Sequence, residues 1–305
     1  MTSRSNQWRD WLAAAPLPGR GAGRGGTSRQ GGLVFRNPVP QPSPAKRDPA
    51  GALGFVDRPT ASDAPEPTDL AERVASVGWY HTIKLPGGIV TPGQFDHSEL
   101  LPHYGLPESL AGKRAIDVAT FDGYWAFEME RRGADVTAID LDDSADLDFP
   151  TLVKQRLADF GPMPRMGKGF AIAHDALGSK VRRVGTSVYS LDPDRHGTFD
   201  FAHCGDLLLH LRDPLTALER IRAVTTGQLL LCDVVDPDAR PSRFGPTLSY
   251  RGGWNDVTWW VPSLEAMAQM VIDAGFASVH VNCVYQLAKT IESGGYWRAS
   301  ITATV

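Results

Sequence analysis

The stretch from Arg114 to Asp140 constrains the fold most. It reads Arg114-Ala-Ile-Asp-Val-Ala-Thr-Phe-Asp-Gly-Tyr-Trp-Ala-Phe-Glu-Met-Glu-Arg-Arg-Gly-Ala and runs on to Val136-Thr-Ala-Ile-Asp140. An apolar strand ends near Asp117, Gly123 allows a sharp turn into a helix, and a second strand closes on Asp140. This is the front half of a nucleotide-binding βαβ unit, in which turn amides meet one part of a ligand and a carboxylate meets ribose hydroxyls. An ordinary strand–helix turn is the plainer alternative.

The same stretch excludes some ligands. A dinucleotide fingerprint needs three glycines so that backbone can approach a pyrophosphate. Only Gly123 is present; Ala119 and Phe121 stand where the earlier two would be. No G-x-x-x-x-G-K-[ST] loop occurs either. A ligand with ribose and no phosphate fits better, and S-adenosylmethionine (SAM) is the commonest of these. The missing glycines disfavour a nicotinamide oxidoreductase, and the lack of a G-x-S-x-G elbow disfavours a hydrolase.

Charge divides the chain. Residues 1–65 carry nine Lys/Arg against four Asp/Glu; the totals of 31 and 35 leave 22 basic and 31 acidic residues beyond position 65. The globular part thus lacks the basic excess typical of nucleic-acid binding. Nucleic acid is a possible but disfavoured partner. No run of 18 apolar residues and no signal-peptide pattern appears, so the expected location is cytoplasmic, without membrane contact. Cys204, Cys232 and Cys283 are too scattered for a disulfide framework or a zinc site and read as core residues. A metal-free reaction is expected.

Residues 1–65, with Gly19-Arg-Gly-Ala-Gly-Arg-Gly-Gly and Asn37-Pro-Val-Pro-Gln-Pro-Ser-Pro, read as a disordered tail; Gln7 to Leu12 could form a docking helical turn. Residues 66–112 read as a cap: a helix capped by Thr68 with Leu70, Val74 and Val77 on one face, then a strand Trp79–Leu85, a Pro86-Gly-Gly turn and a return over Ile89–Thr91. Short helices are expected over Ser98–Tyr104 and Glu108–Ala111. From 113 to 305, strands (114–119, 135–140, 184–190, 200–205, 228–235) alternate with helices (123–133, 151–160, 169–178, 214–224, 263–274), and strands 276–287 and 296–305 close the chain. This is α/β: a doubly wound, mostly parallel seven-stranded sheet with a C-terminal antiparallel hairpin, interrupted by a Trp-rich insert at 236–262.

Four strings occur in order: Trp79-Tyr-His-Thr-Ile-Lys-Leu-Pro-Gly-Gly, Asp117-Val-Ala-Thr-Phe-Asp-Gly, Phe199-Asp-Phe-Ala-His-Cys-Gly-Asp-Leu-Leu-Leu-His-Leu-Arg-Asp-Pro-Leu and Trp259-Trp-Val-Pro-Ser. Over residues 70–305 the chain resembles the tRNA wobble-uridine 5-oxyacetic acid methyltransferase-like family, a class I SAM-dependent group. The resemblance implies a Rossmann-like fold and SAM as cofactor. The tRNA enzymes hold a carboxylated SAM with lysines and a tryptophan ahead of the main domain. Here Thr91-Pro-Gly-Gln-Phe-Asp-His has neither, so ordinary SAM is expected. Arg298 sits where the family carries an arginine, and Ala119 replaces its usual first glycine.

The candidate cofactor residues follow from these positions. Asp117 would position the turn and the methionine amino group, or cap the helix. Thr120 and Gly123 belong to the turn. Asp140 would accept both ribose hydroxyls, Leu141 would flank adenine, and Asp142 lies beside them, where a solvated carboxylate is the plainer reading. Tyr189 and Ser190 would line the adenine edge. Cys204 and Gly205 would pass under the cofactor, with Arg298 nearby. Candidate acid/base residues are His210, His81 and Asp206. Candidate substrate residues are Tyr80, Tyr124, Trp254, Asn255, Trp259 and Trp260; the tryptophans could form a lid, cage a sulfonium, or simply anchor their loop.

The reaction expected is methyl transfer to a small molecule, with oxygen as acceptor. A tRNA substrate gripped by the Arg/Gly tail and a non-catalytic SAM-fold scaffold are the alternatives.

Overall fold

The computed structural model describes residues 33–34, 69–158, 165–239, 242–243, 245–252, 257–287 and 296–305. The expected tail therefore lies outside the described residues, apart from a two-residue strand, β1 (Leu33–Val34). Trp254 and Asn255 also lie outside them.

Residues 115–118 of β2 (Arg114–Val118) and 136–140 of β3 (Asp135–Asp140) are continuously buried. Unbroken burial of this kind marks parallel strands covered on both faces. The sheet continues with β4 (Arg182–Gly185), β5 (Phe199–Gly205) and β6 (Thr225–Val234), then β9 (Ser278–Gln286) and β10 (Trp297–Thr304). The order is β4-β3-β2-β5-β6-β10-β9-β1. β10 runs antiparallel to both neighbours, and the strands from β4 to β6 are parallel. The expected seven strands thus gain an eighth at the edge. The short strands β7 (Leu248–Tyr250) and β8 (Trp260–Pro262) pair separately, within the Trp-rich insert.

Helices cover both faces. On one face lie α1 (Leu70–Ala75), α2 (Tyr124–Arg131) and α4 (Lys168–Leu177), which pack Trp79, Trp125, Phe127, Met129 and Phe170 into one core; α3 (Thr151–Ala158) follows β3. On the other lie α6 (Pro214–Val224) and α7 (Leu264–Asp273); a single turn, α5 (Pro193–His196), precedes β5. α6 starts with Asp213 accepting the Thr216 amide at 3.0 Å and with Pro214 at the first helical position. It buries Ala217, Leu218, Ile221 and Val224 as one stripe.

The cap departs from expectation. Residues 79–85 make isolated bridges, His81 with Phe95 and Lys84 with Val90, in place of a strand. Side chains take the donors that a ladder would use: Asp122 accepts the Tyr80 and His81 amides at 2.9 and 2.8 Å, and Thr91 accepts that of Ile83 at 2.7 Å. Asp69, not Thr68, caps α1, accepting the Ala71 amide at 2.8 Å. The expected helix at 98–104 shrinks to a 3-10 turn over Leu101–His103. None forms at 108–111, where the Leu110 amide bonds to Arg132 instead. The expected strand 184–190 stops at Gly185, because Ser187 caps a 3-10 turn over Val188–Ser190.

Candidate active site

The chain winds outward in both directions from β2 and β5, so the crevice beyond their carboxyl ends is the topological switch point, where open α/β sheets bind ligands. Three non-glycine residues have a left-handed backbone among the described residues, and all three are here: Ala119 (φ 61°), Phe121 (φ 50°) and Asp206 (φ 46°). Such strain persists where surrounding structure over-determines it, commonly at functional sites. Ala119→Gly is therefore expected to stabilise the fold by about 0.5–1 kcal/mol, the strain relieved less the added unfolded-state freedom. A denaturation midpoint that falls, or stays put, would show the alanine to be relaxed.

Asp140 ends β3 and is buried. Its carboxylate accepts the Phe121 amide at 2.8 Å and the Leu141 amide at 2.7 Å. Burial pushes this carboxyl up to about 6 in spite of those amides. Leu141 is half-buried beside it. Asp142 is exposed and pairs with Arg183 at 2.5 Å, as a solvated carboxylate would.

Asp117 is engaged within the protein. One oxygen accepts the Thr120 hydroxyl at 2.7 Å and the other meets His203 Nδ1 at 2.7 Å. The pair follows from register, since Asp117 faces His203 across β2 and β5. His203 stacks on Trp125 with ring centroids 4.3 Å apart. Its Nε2 is buried without a hydrogen-bond partner. Gly205 gives this ring its room: a Cβ there would stand 3.0 Å from His203 Cε1. Gly123 (φ 93°) is likewise required by packing, because a Cβ would fall 2.4 Å from the Phe127 ring. Cys204 is wholly buried, and all three cysteines are free and buried.

Asp206, half-buried, belongs to a cluster with the buried Arg298 that ties the cap to the sheet. Arg298 Nε donates to both of its oxygens at 2.7 and 2.9 Å, and the Tyr80 hydroxyl donates at 2.7 Å. The guanidinium lies over the Phe95 ring at 4.9 Å. Burial alone would raise the Asp206 carboxyl, but Arg298 and Tyr80 outweigh it and hold it below the usual range. A carboxylate held ionised in this way suits an anchor between cap and sheet. Asp233, at the end of β6, accepts the Leu207 and Leu208 amides at 3.0 and 2.7 Å. Burial, and then the Asp206 charge, push it up to about 7.

His81 is buried on the cap. Its Nδ1 pairs with Asp122, and its ring stacks on Tyr124, the first residue of α2, with centroids 5.4 Å apart. His97 adjoins both rings, holds the Tyr104 hydroxyl at 2.9 Å, and keeps a buried Nε2 without a hydrogen-bond partner. Burial lowers its proton affinity well below the usual imidazole range. His210, half-buried after β5, meets the Val257 carbonyl through Nδ1 at 3.2 Å.

Trp259 bridges two loops at the carboxyl edge. Its indole N–H donates to Asp148 O at 2.5 Å, and its amide donates to Leu209 O at 2.7 Å. The Trp260 indole donates to Arg212 O at 3.1 Å. Both tryptophans thus fasten the insert across the loops after β3 and β5. The Tyr189 hydroxyl donates to Asp148 at 2.8 Å. With Ser190, Tyr189 lines an open depression shared with Asp192, Arg195 and Arg220, a set that does not include Asp140 or Asp117.

A family model described as a methyltransferase domain matches residues 98–281. A tRNA U34 carboxymethyltransferase from Geobacter sp. (strain M21) is 28% identical over 183 residues, 59% of this chain and 49% of that enzyme, so the chain spans about half of that relative's length. Among solved structures, Burkholderia thailandensis 1,6-didemethyltoxoflavin-N1-methyltransferase is 18% identical, with 68% of this chain and 73% of that one covered at a TM-score of 0.41. Magnesium protoporphyrin IX methyltransferase from Synechocystis PCC 6803 is 12% identical, with 68% and 76% covered at a TM-score of 0.42.

Proposed function

The chain belongs to the methyltransferase-domain family, and from that premise we propose that it transfers the methyl group of SAM to a hydroxyl of a small molecule. The residues fit SAM. Each Asp140 oxygen accepts one backbone amide and keeps a lone pair for a ribose hydroxyl. Leu141 would flank adenine, and the Asp117–Thr120–Gly123 turn would meet the methionine end. When bound, SAM supplies an electrophilic methyl carbon on a sulfonium. The ordinary cofactor fits better than a carboxylated one, because Asp206 already neutralises Arg298 at 2.7 Å. An added buried carboxylate would then lack a counter-charge.

The chain's own work is positioning and proton removal. Asp140 and the turn fix the donor side, and the Tyr80–Asp206–Arg298 cluster fixes the cap over it. Water is excluded by the cap and by the loop that Trp259 fastens. An imidazole, His81 or His210, takes the acceptor's hydroxyl proton.

The observation that supports the small-molecule reading is the Trp259 bridge, which ties the loops of Asp148 and Leu209 together at the carboxyl edge. The tRNA relative favours a second reading, in which the Arg/Gly tail grips RNA. Comparing full-length protein with a variant lacking residues 1–65 separates the two. RNA affinity should be negligible for both at any salt. Tight, steeply salt-dependent binding that disappears with the tail would overturn the small-molecule reading.

A further inference from the structure

Asp122 was not among the residues that the sequence marked, yet it touches the cap more intimately than any other residue of the cofactor turn. It stands one position before Gly123 and is 1% exposed. One oxygen accepts the amides of Tyr80 and His81 at 2.9 and 2.8 Å; the other holds His81 Nδ1. Backbone and side chain of His81 are therefore fixed by a single carboxylate that also belongs to the turn.

Such a carboxylate selects a tautomer. A carboxylate accepts and does not donate, so the neutral imidazole must carry its proton on Nδ1 and leave Nε2 bare. We propose that Asp122 is a positioning residue that makes His81 Nε2 the proton acceptor of the reaction. This rests on the methyl-transfer reading above. In that step the acceptor's O–H bond breaks and its proton ends on Nε2. The freed oxygen pair forms the bond to the methyl carbon, and the pair of the broken carbon–sulfur bond returns to sulfur. The imidazolium then lies against the Asp122 carboxylate, an ion pair already in place.

The other imidazoles are held differently. His210 leans through Nδ1 on the Val257 carbonyl at 3.2 Å and feels the Asp206 charge. His203 has a carboxylate, Asp117, but is 1% exposed, and a Cβ at Gly205 would stand 3.3 Å from its Nε2. Its link through Asp117 to Thr120 makes it a brace for the turn. The titratable groups facing His81 are Asp122, His97, Tyr80 and Tyr124. The Tyr80 and Tyr124 hydroxyls are held neutral by burial first of all, and burial keeps His97 uncharged.

Nitrogen NMR of the histidine side chains in the full chain reads this directly, with His81→Gln identifying the signal. Wild-type protein should show a protonated Nδ1 and a bare Nε2. Asp122→Asn should move the proton to Nε2, since the amide N–H₂ then donates to Nδ1. A wild-type Nε2 that carries the proton, or a tautomer unmoved by Asp122→Asn, would overturn the proposal. The wild-type spectrum alone decides the matter if the variant does not fold. Calorimetry with S-adenosylhomocysteine on the same sample separates the two failures. Binding with the wrong tautomer sinks only the His81–Asp122 assignment, whereas absent binding sinks the methyl-transfer reading.

Discussion

Asp140→Asn is expected to weaken S-adenosylhomocysteine binding about 100-fold, a loss of ~2.8 kcal/mol. The carboxylate offers lone pairs on both oxygens, each already holding a backbone amide that fixes its orientation. An asparagine keeps one acceptor oxygen and presents an N–H₂ to the other amide. The effect should depend on pH. Burial places the Asp140 carboxyl at about 6, and the ionised form accepts the ribose hydroxyls, so wild-type affinity should fall as pH drops through that value. The variant should lack this limb. Unfolding is not the cause expected. A carboxyl whose pKa is raised on folding contributes stability at low pH that is lost as pH rises from the ordinary carboxylate range through about 6. Removing the charge therefore costs the empty protein little at neutral pH. Calorimetric titrations of both proteins from pH 5 to 8 check both points, and equal affinities would remove Asp140 from the site.

Arg298→Met is expected to destabilise the protein by about 3 kcal/mol, because it strands a carboxylate that is largely out of water. Asp206 would keep the Tyr80 hydroxyl but lose both Nε contacts. The loss should reverse for the most part in Arg298→Met/Asp206→Asn, since the double variant carries no unpaired charge. Urea unfolding of wild type, both single variants and the double variant gives the coupling energy. A single variant within about 1 kcal/mol of wild type would show that water reaches the pair.

Much of the fold was legible because it rests on local pattern. The apolar runs of β2 and β3 and the helical stripes of α6 and α7 each act within a few residues. The cap was less legible. Residues 79–85 have strand composition, but their amides go to Asp122 and Thr91, and composition does not show where a donor will go.

The site divides in the same way. The burial of Asp140 at the end of β3 was legible from its place in the strand. The pairings were not, because partners lie far apart in sequence: 41 residues for His81 and Asp122, 86 for Asp117 and His203, 92 for Asp206 and Arg298. A sequence lists titratable groups without saying which neutralise one another. The pairing of Asp206 with Arg298 is invisible in the sequence for that reason. One signal was available: parallel strands bring their last residues together, so the ends of β2 and β5 could have suggested Asp117 with His203.

The central claim is that the switch-point crevice holds a SAM-type nucleoside and not a dinucleotide. Calorimetric titration of the folded full chain with S-adenosylhomocysteine, and separately with NAD, tests it most directly. Saturable one-to-one binding of S-adenosylhomocysteine with no detectable heat from NAD is the expected result. Folded protein that binds NAD, or that binds neither ligand, would contradict the claim.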